Sequence, residues 1–370
     1  MIKIPEWIAR LKPYIPGKPI EELAREKELS KIVKLASNEN PLGPSPLAIK
    51  AVIEHLPEAN RYVDSSARNL VIKIASKFGK RPEQIICGHG VDALLGYILA
   101  TFTMENEEIL TSEGTFIGIY VNANKLGRRV SQVPLKDYTF DLTAIISAIT
   151  PDTRVIYLAN PNNPTGTIFT RKEFEAFLGE VPEDILIILD EAYTEFAGSN
   201  PDFPNGLEYD NSNLIVARTL SKSYGLAGLR VGFASGPPEL IRELYKVKLP
   251  FEPNCPAQRA AEAALDDVEF LKRTLDMNEK SLRKMTAKFD EIGIKYIPTH
   301  ANFLLMLMPS EEFAEKFNEE CLNNGLILRH VRPFGIPNGI RINSSTEEET
   351  EFALSIIEKV YSRFLQTDHV

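Results

Sequence analysis

The chain has 370 residues, 44% hydrophobic and 25% charged, a globular composition with enough apolar mass for two domains, which excludes a disordered or fibrous protein. A formal charge of −9 without any lysine/arginine run argues against a nucleic-acid partner. Cys87, Cys255 and Cys321 are too scattered for disulfides or a metal site, no stretch reaches the ~18 apolar residues of a membrane span, and residues 1–7 lack a signal-peptide core; a soluble cytoplasmic protein with neither metal nor membrane partner is expected.

In chain order, residues 1–45 read as an arm that also contributes to a small domain. Its stretch Lys34-Leu35-Ala36-Ser37-Asn38-Glu39-Asn40-Pro41-Leu42-Gly43-Pro44 concentrates residues that favour turns and break helices, so a fixed loop, an extended segment or a plain linker is expected there. A helix follows over 46–56, then the polar segment Arg61-Tyr62-Val63-Asp64 and a second helix over 67–78. From Ile85 short apolar runs alternate with helical patterns, the rhythm of a mainly parallel sheet covered on both faces. Strands are predicted at 85–87, 108–111, 155–159, 185–189, 214–217 and 231–234, and a helix from the Gly88-His89-Gly90 turn to about 103. The runs at 155–159 and 185–189 are apolar without alternation, as central strands buried on both faces require. A helical pattern from Pro256 to Gly293 would link this large domain, 46–255, to a smaller α/β domain completing 256–370. There, strands at 302–307, 326–329 and 339–343 alternate with helices at 310–324 and 347–365.

Ligands collect at the carboxyl ends of parallel strands, and the chemically distinctive residues of this chain fall there. Lys222 follows the apolar run 214–217 among small residues, with Arg230 eight positions on, as a lysine–aldehyde Schiff base would require; Ser221 and Arg230 can bind an anion beside it. Gly90-Val91-Asp92 opens a helix whose free N–H groups suit a phosphate, although a glycine pair before a helix also serves as a plain tight turn. Asn160-Pro161-Asn162-Asn163-Pro164-Thr165-Gly166 caps another strand and holds amides in a rigid loop. Asp190 ends five aliphatic residues, where a carboxylate needs a cation, and Tyr193 follows three positions later. Together these match pyridoxal 5′-phosphate: Lys222 for the aldehyde, Asp190 for the ring nitrogen, and Asn163 and Tyr193 for the phenolic oxygen. Arg230, Ser221 and Gly90-Val91-Asp92 would take the phosphate, and Phe116 would supply a flat apolar partner for the ring.

Asn-Asn-Pro-Thr-Gly at 162–166, Asp-Glu-Ala-Tyr at 190–193 and Ser-Lys-x-x-Gly-Leu-Ala-Gly-Leu-Arg at 221–230, in that order, resemble the fold-type I, class II aminotransferases. Within them the chain is most similar to the histidinol-phosphate aminotransferases, a likeness that includes Leu11-Lys12-Pro13-Tyr14 and the arm motif, and at the other end Leu328-Arg329 and Gly339-Ile340-Arg341-Ile342. The resemblance implies a fold-type I, pyridoxal-phosphate-dependent transferase that transaminates L-histidinol phosphate with 2-oxoglutarate in histidine biosynthesis. It implies a homodimer with a shared active site, in which Tyr62 reaches the neighbour's cofactor phosphate and Tyr14 the neighbour's substrate. Asn40, Arg329 and Arg341 would bind substrate, Arg341 holding its anionic end in a forked contact. Lys222, Asp190 and Tyr193 would be the catalytic residues.

The chain departs from the family pattern at His89, Val91 and Ala93, at Phe116-x-x-x-Tyr120, at Arg61-Tyr62-Val63-Asp64, which lacks a proline, and at Asn343-Ser344-Ser345. These touch the substrate assignment more than ring binding. The alternatives are an aromatic amino acid aminotransferase, a pyridoxal-phosphate-dependent decarboxylase, or a silent ligand-binding homologue.

Overall fold

Uninterrupted aliphatic runs form the centre of the molecule. A computed structural model describes residues 2–11, 24, 25, 29 and 31–367. Its strands are, in chain order, β1 (Val33–Lys34), β2 (Ile85–Gly88), β3 (Glu108–Ser112), β4 (Arg129–Val133), β5 (Thr153–Ala159), β6 (Leu186–Asp190), β7 (Leu214–Thr219) and β8 (Gly232–Ser235). These are followed by β9 (Lys295–Ile297), β10 (Phe303–Leu307), β11 (Leu326–Ile327), β12 (Arg329–His330) and β13 (Gly339–Asn343). Seven of them make one sheet in the order β2-β8-β7-β6-β5-β3-β4, parallel throughout except that β8 runs antiparallel to both its neighbours. Central β6 and β7 are buried at every position, which explains why their sequences show no alternation. Helical residues such as Leu94, Ile119, Phe174, Leu244 and Ala260 close around this sheet in one continuous core.

A second core lies around the four-stranded antiparallel sheet β12-β13-β10-β9, where Met285, Phe289, Met306, Phe317, Ile342 and Ile357 pack together. The arm belongs to this core: β1 pairs in parallel with β11, and Val33 and Leu35 enter the apolar cluster. The pattern 256–293 divides into helices Cys255–Ala264 and Val268–Ile292. The first packs on helix Pro46–His55 and on the large core, so only the second links the domains. Asp267 makes the break, its side chain accepting the Phe270 N–H to start a new helix. The strand expected at 326–329 is two strands, because the chain changes sheets at Leu328, β11 pairing with β1 and β12 with β13. Strands β1, β4 and β9 were not legible: β1 and β9 are two and three residues long, and edge strand β4 is mostly polar. Among the described residues, no helix is long and apolar enough to cross a membrane.

Behind the end of β6 lies a buried ion pair. Arg218 Nε and Nη2 donate to Glu191 Oε2 at 2.8 and 2.6 Å, the other Glu191 oxygen accepts the Gly206 N–H, and the side chains are 6% and 0% exposed. Removing one partner strands a charge in the interior, whereas a solvated pair contributes little. Arg218→Met is therefore expected to lower the unfolding free energy by about 3–5 kcal/mol. Breaking the exposed Arg129–Asp152 pair by Arg129→Met should cost under about 1 kcal/mol, both read by urea denaturation.

Candidate active site

The parallel strands deliver their functional residues to a single edge. β6 ends at Asp190, β7 at Thr219 just before Ser221 and Lys222, β5 at Ala159 before the Asn160–Gly166 loop, and β3 at Ser112 before Phe116. β2 ends at Gly88, and helix Gly90–Phe102 starts two residues later. Because β8 runs the other way, its beginning, and Arg230 before it, arrive at the same edge. A cavity of about 220 Å³ lies there, lined by Val91, Asp92, Phe116, Asn163, Asp190, Tyr193, Ser221, Lys222 and Arg230, with Arg329 and Arg341 on the small-domain side.

Asp190 is buried, with Oδ2 accepting from the Tyr157 hydroxyl at 2.8 Å and Oδ1 from the Ala192 N–H at 3.1 Å. Burial pushes its pKa up to about 6 against those two hydrogen bonds, and the neighbouring anions Asp92 and Glu191 push the same way. Lys222 Nζ donates to the Ser37 carbonyl at 3.1 Å. Burial, reinforced by Arg341 and Arg230 and opposed by Glu39, brings its pKa down to about 8. Tyr193 accepts from Asn38 Nδ2 at 2.8 Å, and burial raises its phenol above the ordinary value.

At the start of helix Gly90–Phe102, Arg230 Nη1 donates to the Ala227 carbonyl at 3.1 Å and to Ser221 Oγ at 3.4 Å, while Nη2 lies 3.6 Å from an Asp92 oxygen. Gly90, at φ +78°, leaves room for this guanidinium: a Cβ there would stand 2.7 Å from Arg230 Nη2. Cation, hydroxyl and helix N–H groups thus meet at one point.

Across the cavity Arg329 and Arg341 are direct cross-strand partners in β12 and β13, both 5.9 Å from the Phe334 ring. Two cations placed opposite one another suit an anion brought in by a ligand. Arg341, 5% exposed, donates to Asn163 Oδ1 and to the Ala36 carbonyl. Its hold on the Asn163 oxygen leaves that residue's amide nitrogen as the donor for a ligand.

Tyr62 and Asn40 do not line the cavity. Tyr62 is 84% exposed and stacks on Phe251 at 4.2 Å, away from its own chain's cavity. Asn40 Nδ2 donates to the Ser223 carbonyl and to Thr274 Oγ1, both at 3.0 Å, so it fastens the arm to the Lys222 loop and the linking helix. Tyr14 lies outside the described residues. Sequence reasoning passed over Asn38 and Ser37, which lie in the quoted arm motif, and Phe334, for which no signal existed. It also passed over Tyr157, whose signal was a hydroxyl inside an apolar run.

Pyridoxal 5′-phosphate fits these residues. A buried carboxylate that forms no ion pair among the described residues suits its ring nitrogen, a half-buried amine with a pKa lowered to about 8 suits its aldehyde, and the Gly90–Arg230 cradle suits its phosphate. Tyr193 and Asn163 are positioned for the phenolic oxygen.

Comparison with known proteins gives the same picture. A family model, aminotransferase class I and II, matches residues 30–357. The chain is 41% identical over 356 residues to histidinol-phosphate aminotransferase 2 of Hydrogenovibrio crunogenus, covering 95% of each chain. It is 38% identical to the histidinol-phosphate aminotransferase of Moorella thermoacetica, covering 97% of this chain and 93% of the relative. In three dimensions it superposes on the crystal structure of histidinol-phosphate aminotransferase from Sinorhizobium meliloti in complex with pyridoxal 5′-phosphate, with a TM-score of 0.91 and 27% identity over 98% of this chain and 99% of that one. The chain belongs to the aminotransferase class I and II family.

Proposed function

We propose that the protein is a pyridoxal-phosphate-dependent aminotransferase that takes the amino group of L-histidinol phosphate and passes it to 2-oxoglutarate, in histidine biosynthesis. The observation that carries this is the single cavity in which Asp190 and Lys222 face the paired arginines Arg329 and Arg341. The two relatives above are named histidinol-phosphate aminotransferases, at 41% and 38% identity over nearly the whole chain, which supports the donor in this reading.

Bound there, pyridoxal 5′-phosphate would supply an aldehyde that takes up the donor amine and a ring that accepts the electron pair left on the donor carbon. Asp190 would keep the ring nitrogen protonated by offering a buried anion that forms no ion pair among the described residues. Lys222 Nζ would hold the aldehyde and would serve as the base and acid that moves the proton of the donor carbon. A pKa near 8 lets that nitrogen exchange protons near neutral pH. Tyr193 donates to the phenolic oxygen, and Arg230, Ser221 and the helix start hold the phosphate. Arg341 and Arg329 grip the anionic end of the donor, which fixes its reacting carbon over Lys222. Tyr62 and Tyr14 are assigned to the site of a second copy: the exposed Tyr62 ring, stacked on Phe251, stands free to enter it.

The direct test mixes cofactor-loaded protein with L-histidinol phosphate, and separately with phenylalanine and tyrosine, and follows bleaching of the visible absorption. Histidinol phosphate should react fastest. The reverse ranking would make the protein an aromatic amino acid aminotransferase, release of carbon dioxide a decarboxylase, and a protein that never colours a silent binder. Lys222→Ala should reduce turnover by at least about 10³-fold while the protein still binds cofactor; normal turnover would remove Lys222 from the chemistry.

Asp190 gives a stability prediction of unusual sign. Its folded pKa of about 6 lies above the ordinary 3.8, so the folded cofactor-free protein holds this proton more tightly and loses stability as pH rises from about 4 to 6. An asparagine has no charge to bury and keeps both hydrogen bonds, the Tyr157 hydroxyl accepting where it had donated. Cofactor-free Asp190→Asn should therefore be more stable than wild type at pH 7, by up to about 3 kcal/mol, and equally stable near pH 4. Its turnover should fall about 100-fold or more. A variant less stable at pH 7 would show that the carboxylate is compensated in the folded chain.

A further inference from the structure

Asp190 depends on a second residue that no motif marks. In the parallel register of β5 and β6, Ala159 pairs with Asp190 and Tyr157 with Ile188. Residues two apart share a face, so Tyr157 and Asp190 point the same way on adjacent strands, one step displaced along them. A tyrosine spans that diagonal, and its hydroxyl reaches Oδ2 at 2.8 Å. The ring is fully buried, and its carbonyl is held by Thr111 Oγ1 at 2.8 Å, so the hydroxyl approaches from a fixed direction.

We propose that Tyr157 is a positioning residue for the reaction: its hydroxyl orients the Asp190 carboxylate and keeps it ionised for the cofactor's ring nitrogen. This rests on the pyridoxal-phosphate reading above. The Ala192 N–H fixes Oδ1 and Tyr157 fixes Oδ2, so the carboxylate plane is set from both ends and the remaining lone pairs face the cavity. Around it Asp92 and Glu191 favour protonation, while Tyr157 and Ala192 are the hydrogen bonds that oppose it. Lys222, Arg230 and Arg341 line the same cavity. Of the two opposing hydrogen bonds only Tyr157 comes from a side chain, and so only it can be removed by substitution.

Tyr157→Phe deletes that oxygen at nearly constant volume. The test measures the dissociation constant of pyridoxal 5′-phosphate from the protein by visible absorption between pH 5 and 8.5, for wild type, Tyr157→Phe, Asp190→Asn and the double variant. In wild type, affinity falls as Asp190 takes up a proton on acidification. Without the Tyr157 hydroxyl that fall should begin about one pH unit higher, giving cofactor binding about tenfold weaker near pH 5.5 and within about twofold of wild type at pH 8.5. In the Asp190→Asn background, Tyr157→Phe should leave the pH profile unchanged. A Tyr157→Phe profile parallel to wild type, or weaker by one factor at every pH, overturns the proposal and leaves the cofactor reading standing. A wild type that takes up no cofactor, or an Asp190→Asn variant that binds as tightly as wild type, overturns both.

Discussion

The structure depends on two ionisable groups at the ends of neighbouring strands, buried Asp190 and half-buried Lys222, neither of which forms an ion pair among the described residues. Asp190 and Lys222 line one cavity, but their hydrogen bonds go to the Tyr157 hydroxyl and the Ala192 N–H on one side and to the Ser37 carbonyl on the other. Burial raises the carboxyl to about 6 and lowers the amine to about 8, so between those values the folded chain alone carries both charges at a cost. One residue further along, Glu191 is just as buried, and there the chain supplies Arg218 and the Gly206 N–H. The same few residues of sequence thus pair one carboxylate completely and leave the next for a cation from outside. Stability has been forfeited at Asp190 specifically, as expected where a site is shaped for a ligand and not for the empty fold.

That forfeit is tolerable because the elements around it are over-determined. β6 and β7 are buried at every position, and the sheet continues on both sides of them. The arm completes the arrangement. Within three residues it offers the Ala36 carbonyl to Arg341, the Ser37 carbonyl to Lys222 and the Asn38 amide to Tyr193, while the Asn38 N–H donates to Asn343 Oδ1 and its carbonyl accepts from Asn302. Functional groups of both cores are therefore referenced to one short stretch of backbone. Asn40 anchors that stretch to the Lys222 loop.

The sequence exposed the parts whose chemistry is unusual for their position. A lysine just after an apolar run, an aspartate ending another and an asparagine between prolines are each improbable as ordinary core, and the cavity collects all three. It exposed the sheet for the same reason, since unbroken apolarity requires burial on both faces. What it hid has physical causes. Strand β4 is a polar edge, and β11 and β12 look like one strand because nothing in Leu326-Ile327-Leu328-Arg329 marks a change of sheet. Tyr157 was invisible because a tyrosine in a buried strand is ordinary; only the register with β6 makes its hydroxyl meaningful. Asn40 was read as a ligand contact because its motif carries function, whereas its own side chain carries the packing of that motif.

The small-domain side repeats the logic of the large one with the sign reversed. Arg329 and Arg341 oppose each other across β12 and β13, and both guanidinium groups lie 5.9 Å from the centre of the Phe334 ring. A pair of cations there and an anion at Asp190 suit one ternary arrangement: a cationic ring nitrogen at one end and a substrate anion at the other, with Lys222 lining the cavity between the two sheets. A donor that lacks the anion forgoes contact with the arginine pair. A donor that has it must also place its amine within reach of Lys222. Selection among amines thus follows from the spacing between the two domains as much as from any single contact, because the groups that read the donor's two ends are built on different cores.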